Sequence, residues 1–328
     1  MLNNNLNALA IILSAIIAYL MPFELFLFAY AFIGPLHYIT ELNWLKEKRF
    51  FIKDTRVSIT LTIISFVLGA WVVFSYFNLI DTSKFFNKSY TFLILFAISL
   101  CTIYVLKKKV KLASLIIFVG IVISLLVFFS PKFYWIALFI PTLIHVFVFT
   151  FFFMLYGALK SGSKTQIALS LSLLVVGTSL LFIPAKNEIF TQNYWLVKYI
   201  NSGFGKINLF ILNKLNIDFV SGENISDKAT RLQSFISFAY TYHYANWFLK
   251  TKIINWDKAL NLKKLVAILF SYILLISLYM YNYMLGLVLV YGLSLWHVLM
   301  EFPLNIISIK YCFANITKNN GVIHKNKT

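Results

Sequence analysis

Apolar residues in this chain come in long, nearly unbroken runs, without the alternating or one-faced patterns of a water-soluble fold. A helix needs about 17 or more such residues to cross the hydrocarbon core of a bilayer. Ten segments of roughly that kind can be drawn, at 5–21, 23–45, 57–80, 90–106, 112–130, 133–159, 167–185, 232–249, 265–281 and 284–309. The pattern predicts an all-α, polytopic integral membrane protein with about ten transmembrane helices. The first run has no preceding Lys or Arg and no small-residue cleavage pattern, so it reads as a membrane span and not as a removed signal peptide. One sizeable stretch, about 186–231, falls outside the spans. Within it Trp195, Leu196, Tyr199 and Ile200, then Ile207, Phe210, Ile211 and Leu215, recur at helical spacing, with Gly203 and Gly205 between them. This predicts one or two short helices on the outer membrane surface. An ordinary packed loop and a lid for a lipid-like substrate both fit. Residues 1–328 thus read as a single membrane domain with one extracytoplasmic interfacial loop.

Composition agrees with the pattern. The chain is 60% hydrophobic and 12% charged, too few charges to solvate a globule of 328 residues. The formal charge of +18 raises the question of nucleic acid. Its distribution answers against it, because the cations sit in short clusters between apolar runs, as topology signals do. One side collects Lys46, Lys48, Arg49, Lys53 and Arg56; Lys107, Lys108, Lys109 and Lys111; Lys160 and Lys164; Lys250, Lys252, Lys258, Lys263 and Lys264; and Lys310, Lys318, Lys325 and Lys327. These are 20 of the 29 cations. The other side holds Lys84, Lys88, Lys132, Lys186, Lys198, Lys206, Lys214, Lys228 and Arg231, six of them in the long loop where the rule weakens. Both termini are therefore expected in the cytoplasm. Abundant Ile, Asn, Lys and Phe suit an AT-rich bacterial gene, hence a bacterial inner membrane. Cys101 and Cys312 suggest neither a disulfide framework nor a thiolate metal site.

The candidate chemistry lies inside the spans. His37, His145, His243 and His297 fall in the second, sixth, eighth and tenth, whereas His324 is in the polar tail. Even-numbered spans all run from outside to inside. The four histidines precede their cytoplasmic cations Lys46, Lys160, Lys250 and Lys310 by 9, 15, 7 and 13 residues. At about 1.5 Å per residue they lie roughly 10–22 Å from the inner boundary. Neutral imidazole is the commonest metal ligand and suits iron, zinc and copper. Glu41 and Glu301 each follow a histidine by one turn, and Asn305 continues the His297 face. A carboxylate at membrane depth costs roughly 2.5–3.5 kcal/mol on insertion scales, so it needs a partner. Glu41 and Glu301 could orient the imidazoles, bind metal directly or carry protons. Any one histidine alone reads more simply as a helix-packing residue. Nearby polar and aromatic groups include Tyr38, Thr40, Tyr240, Tyr244 and Asn246. Pro35, Pro141 and Pro303 stand close to these groups, where helix hydrogen bonding is loosened.

Four short pieces, Gly34-Pro35-Leu36-His37 with Glu41, Leu143-Ile144-His145-Val146-Phe147, Tyr242-His243-Tyr244, and His297 with Glu301, resemble the Brp/Blh family of membrane β-carotene 15,15'-dioxygenases. That family carries histidines in the same order in apolar spans, with an acidic residue about one turn after the first and last. Four features differ: ten spans and a long outer loop make the chain larger than the typical member, and three positions depart from the family's motifs. Trp247 stands where the family has a further histidine, Glu41 and Glu301 stand where it has aspartate, and Tyr38-Ile39-Thr40 replaces a glycine-bearing motif. The resemblance implies an oxygenase that uses Fe(2+) and O2 on a hydrophobic, membrane-dissolved, carotenoid-like or lipid substrate, with cleavage of β-carotene to retinal as the model reaction. Zinc or another transition metal suits the same donors. A second class of function is a proton- or metal-ion-coupled transporter using the same His/Glu cluster. Bis-histidine haem ligation and a purely structural role are the remaining readings.

Overall fold

The computed structural model describes residues 2–52, 54–79, 86–106, 112–130, 133–185, 194–202, 204–221, 224–250 and 254–325. The described chain is almost entirely helical. Helix α1 spans Leu2–Leu20 and α2 spans Pro22–Glu47. Then follow α3 (Thr55–Tyr76), α4 (Phe86–Leu106) and α5 (Leu112–Phe129). Helix α6 runs as Phe133–Phe139, Ile140–Phe149 and Thr150–Ser161 without a break. Next come α7 (Lys164–Ser179), α8 (Tyr194–Asn201), α9 (Gly205–Lys214), α10 (Asp227–Leu249), α11 (Leu262–Tyr281) and α12 (Tyr283–Lys325). Two-residue strands, Val220–Ser221 and Asn224–Ile225, pair in antiparallel fashion just before α10.

Among the described residues, six helices are long and apolar enough to cross a membrane: Pro22–Glu47, Thr55–Tyr76, Lys88–Leu106, Ile136–Ser161, Leu262–Tyr281 and Tyr283–Asn315. The other four expected segments are also helical. Asn4–Leu20 and Ser114–Phe129 are apolar but shorter. Helix α10 is long but polar, because Gln233, Ser234, Ser237, Thr241, His243 and Asn246 all lie on it, and all are buried. The loop expected at about 186–231 contains α8 and α9. Gly203 and Lys53, Lys84, Lys107, Lys108, Lys109, Lys111, Lys132, Lys186, Lys252 and Lys327, used above as punctuation or topology signals, lie outside the described residues.

The chain divides into two compact units: Met1–His37 with Lys164–Leu287, and Tyr38–Ser163 with Val288–Thr328. In the first unit α10 is central and packs against α1, α2, α7 and α9. Its start is capped by Ser226, whose Oγ accepts from the Ala229 amide at 3.2 Å. Helix α8 docks through Tyr199, whose ring meets Phe23 and Phe26 edge-on at 5.3 and 5.6 Å. A polar clasp fastens the segment after α7. Tyr19 Oη donates to the Pro184 carbonyl at 3.0 Å, Arg231 donates to the Phe182 carbonyl at 3.0 Å, and the Ala185 amide donates to Asp227. Arg231 and Asp227 also form an ion pair. Partial burial works to raise the Asp227 pKa. The hydrogen bonds from Arg231 and the Ala185 amide, with the Arg231 and Lys228 charges, outweigh it and hold the carboxyl below its usual range.

In the second unit α4 packs on α3, α5 and the beginning of α6. Cys101, Phe149 and Phe302 form a buried cluster with Ile98, Ile144 and Ile306 around it. Helices α3 and α12 touch where Gly69 meets Gly292, and the Trp296 indole N–H donates to Thr62 Oγ1 at 3.2 Å nearby. Small residues allow such close approach, which is how membrane helices gain packing without a hydrophobic driving force. Arg49, Phe50 and Phe51, just past α2, all have φ between +51° and +56°. Each such residue costs about 1–2 kcal/mol, so the turn persists only because its surroundings hold it. Phe51 is seated by its ring contact with Trp44 at 5.7 Å.

Candidate metal centre

Two of the histidine-bearing helices are locally unwound. Residues Ala29–Ile33 of α2 and Ile140–Phe149 of α6 form wide turns with i→i+5 hydrogen bonding. Pro141 lies inside the second and Pro35 two residues past the first. Proline lacks the amide hydrogen that a regular turn requires, and a wide turn absorbs that defect. Each residue inserted this way turns the remainder of the helix by about 100° around its axis. The wide turns therefore set which way His37 and His145 face.

In the first unit, His37 of α2 and His243 of α10 meet edge to face, with ring centroids 4.8 Å apart and planes at 76°. Both are buried, at 1% and 6% exposure. Tyr244 lies 5.1 Å from the His37 ring and 5.5 Å from His243, and Trp247 meets His37 edge-on at 5.8 Å. The pair thus sits within an aromatic wall.

In the second unit, His145 of α6 and His297 of α12 make a similar pair, 5.3 Å apart at 75° and both buried. His145 Nδ1 lies 3.3 Å from Glu301 Oε2, a carboxylate one turn after His297. Tyr38 stacks on the His297 ring at 4.2 Å. Glu41 is also buried and close enough to Glu301 for their charges to interact. Asn305, a further turn along α12, is fully buried. Two neighbouring carboxylates deep in apolar surroundings are stable beside a cation, and imidazoles within reach complete a donor set of nitrogen and oxygen.

Each unit thus holds a buried pair of histidines, a residue type whose neutral ring binds transition metals. All four span histidines and both glutamates are buried, as their spacing at membrane depth suggested. His37 is brought to His243, and His145 to His297 and Glu301. His324 lies near the end of α12. Tyr38 and Tyr244 were expected near the histidines, but not their particular ring contacts, Tyr38 on His297 and Tyr244 on His37, nor that of Trp247 on His37. Two carried a usable signal, since Tyr244 adjoins His243 and Trp247 comes one turn after it. Compared with family models, characterised proteins and solved structures, the chain matches none.

Proposed function

We propose that this chain is a membrane-embedded, metal-dependent oxygenase acting on a hydrophobic polyene or lipid dissolved in the bilayer. In this reading it spans a bacterial inner membrane about ten times with both termini inside. The observation that carries it is the pairing of buried imidazoles, His37 with His243 and His145 with His297, the second backed by Glu301. Helix α2 adds support. His37 touches His243, while the next residue, Tyr38, stacks on His297. His37, His145, His243 and His297 are the metal ligands we infer.

The donor set fits a borderline metal, Fe(2+) first, with zinc or another transition metal as the alternative. Bound iron would supply O2 activation. The chain's own residues do the rest. The imidazoles of His37, His145, His243 and His297 would hold the ion as neutral ligands, leaving its positive charge largely intact. Glu301, through His145 Nδ1, fixes the orientation of that ring and accepts or returns a proton there. Glu41 provides a second carboxylate beside it. Tyr38, Tyr244 and Trp247 exclude water around the imidazoles, and their apolar faces suit a polyene.

The test is oxygen uptake by purified protein supplied with β-carotene in detergent. Substrate-dependent uptake that vanishes in His297→Ala is the expected result. Absence of uptake, together with proton or metal flux in liposomes that requires Glu301, would replace this reading with the transporter.

A further inference from the structure

The first unit has a second polar site, at the ends of α8 and α11. A cavity of about 510 Å3 opens there, lined by residues of α8 and of the Tyr281–Tyr283 turn between α11 and α12. Lys198 is its charged group. The Lys198 ammonium lies 5.4 Å from the Tyr194 ring, 5.5 Å from Trp195 and 5.3 Å from Tyr283, and it donates to Tyr194 Oη at 3.4 Å. Three aromatic faces hold the cation in place without neutralising it. No carboxylate is among the described residues that line it. Asn201 and Ser202 contribute polar side chains, and Asn282 spends its oxygen on the Leu285 amide at 3.0 Å, which leaves its NH2 group as a donor. Tyr283 is anchored through its hydroxyl to the Leu27 carbonyl at 3.0 Å. The lining is thus positive, rich in donors and rigidly mounted.

The surroundings say which anion belongs there. Tyr194, Trp195, Met280 and Tyr281 beside the cavity are 66%, 43%, 72% and 84% exposed. Water would not favour such a rim, but the headgroup layer of a membrane does, since Tyr and Trp concentrate at that depth. A lysine at that depth attracts anionic lipid. On the same helix Leu196 and Tyr199 point inward and are fully buried, so α8 has one face in the protein and one exposed, as a helix lying at a membrane surface does.

We propose that this cavity is a binding site for the phosphate headgroup of an anionic phospholipid, with Lys198 as the counter-ion and Asn201 and Asn282 as hydrogen-bond donors. The site is independent of the metal centre and stands whether or not metal is bound.

The experiment is native mass spectrometry of the full chain released from mixed nanodiscs of phosphatidylglycerol and phosphatidylcholine. The wild type should retain phosphatidylglycerol in preference to phosphatidylcholine. Lys198→Gln should lower that retention about five-fold, the scale of one lysine at a charged surface. Lys198→Arg should preserve it. Lys214→Gln, which removes a lysine packed over Phe210, should leave it unchanged. Equal retention by Lys198→Gln and wild type, or equal loss in Lys214→Gln, would overturn the proposal. Excess inorganic phosphate should fail to displace the lipid. Displacement would show a free-anion site and would equally overturn it.

Discussion

At the residue scale, the account rests on what each buried polar group touches. Glu301 is the sharpest case, a carboxylate at 7% exposure whose Oε2 lies 3.3 Å from His145. If it orients an imidazole that binds metal, Glu301→Gln keeps the shape and loses the charge. Metal affinity should then fall about 10–100-fold, as for other groups that support a ligating histidine. Competition with a chelator of known affinity measures this, and an unchanged affinity would remove Glu301 from the site. The i, i+4 spacing of His297 and Glu301 made this partnership visible in the sequence on one helix. That Glu301 lies against His145, on a different helix, was not visible, because spacing fixes a face and says nothing about its neighbour. The same limit hid the Tyr38 stacking on His297.

At the scale of elements, hydropathy located the helices well but did not foresee their defects. The wide turns at Ala29–Ile33 and Ile140–Phe149 left only Pro35 and Pro141 as traces in the sequence. Helix α10 shows the opposite effect. Its polar residues lower its hydropathy below that of an ordinary span, yet they are buried because neighbouring helices surround it. Contact between α3 and α12 gives a clean test of packing. A Cβ on Gly69 would fall 2.8 Å from the Gly292 Cα, a backbone atom that cannot swing aside. Replacing a helical glycine ordinarily gains up to about 1 kcal/mol. Here overpacking, at about 1–3 kcal/mol, should win, and a β-branched residue makes it worse. Gly69→Val is therefore expected to lower the thermal midpoint in detergent, and an unchanged or higher midpoint would show that the two helices can separate freely.

At the scale of the whole molecule, the balance of 60% apolar residues against 12% charged ones points to a membrane protein before any contact is known. It says nothing about chemistry. The functional reading came from histidines expected at similar depth on helices of one direction, a pattern that exists only once the ten expected spans are drawn. The division into two compact units was not readable, since α2 and α12 each carry residues of both. The claim that everything else depends on is that buried imidazoles hold a transition metal. Elemental analysis of protein purified without added chelator tests it most directly, with His243→Ala and His297→Ala prepared alongside. The account predicts about one equivalent of iron or another transition metal in the wild type, lost in both variants while each remains folded by circular dichroism. A folded wild type free of transition metal, or variants that keep their full metal content, would contradict it.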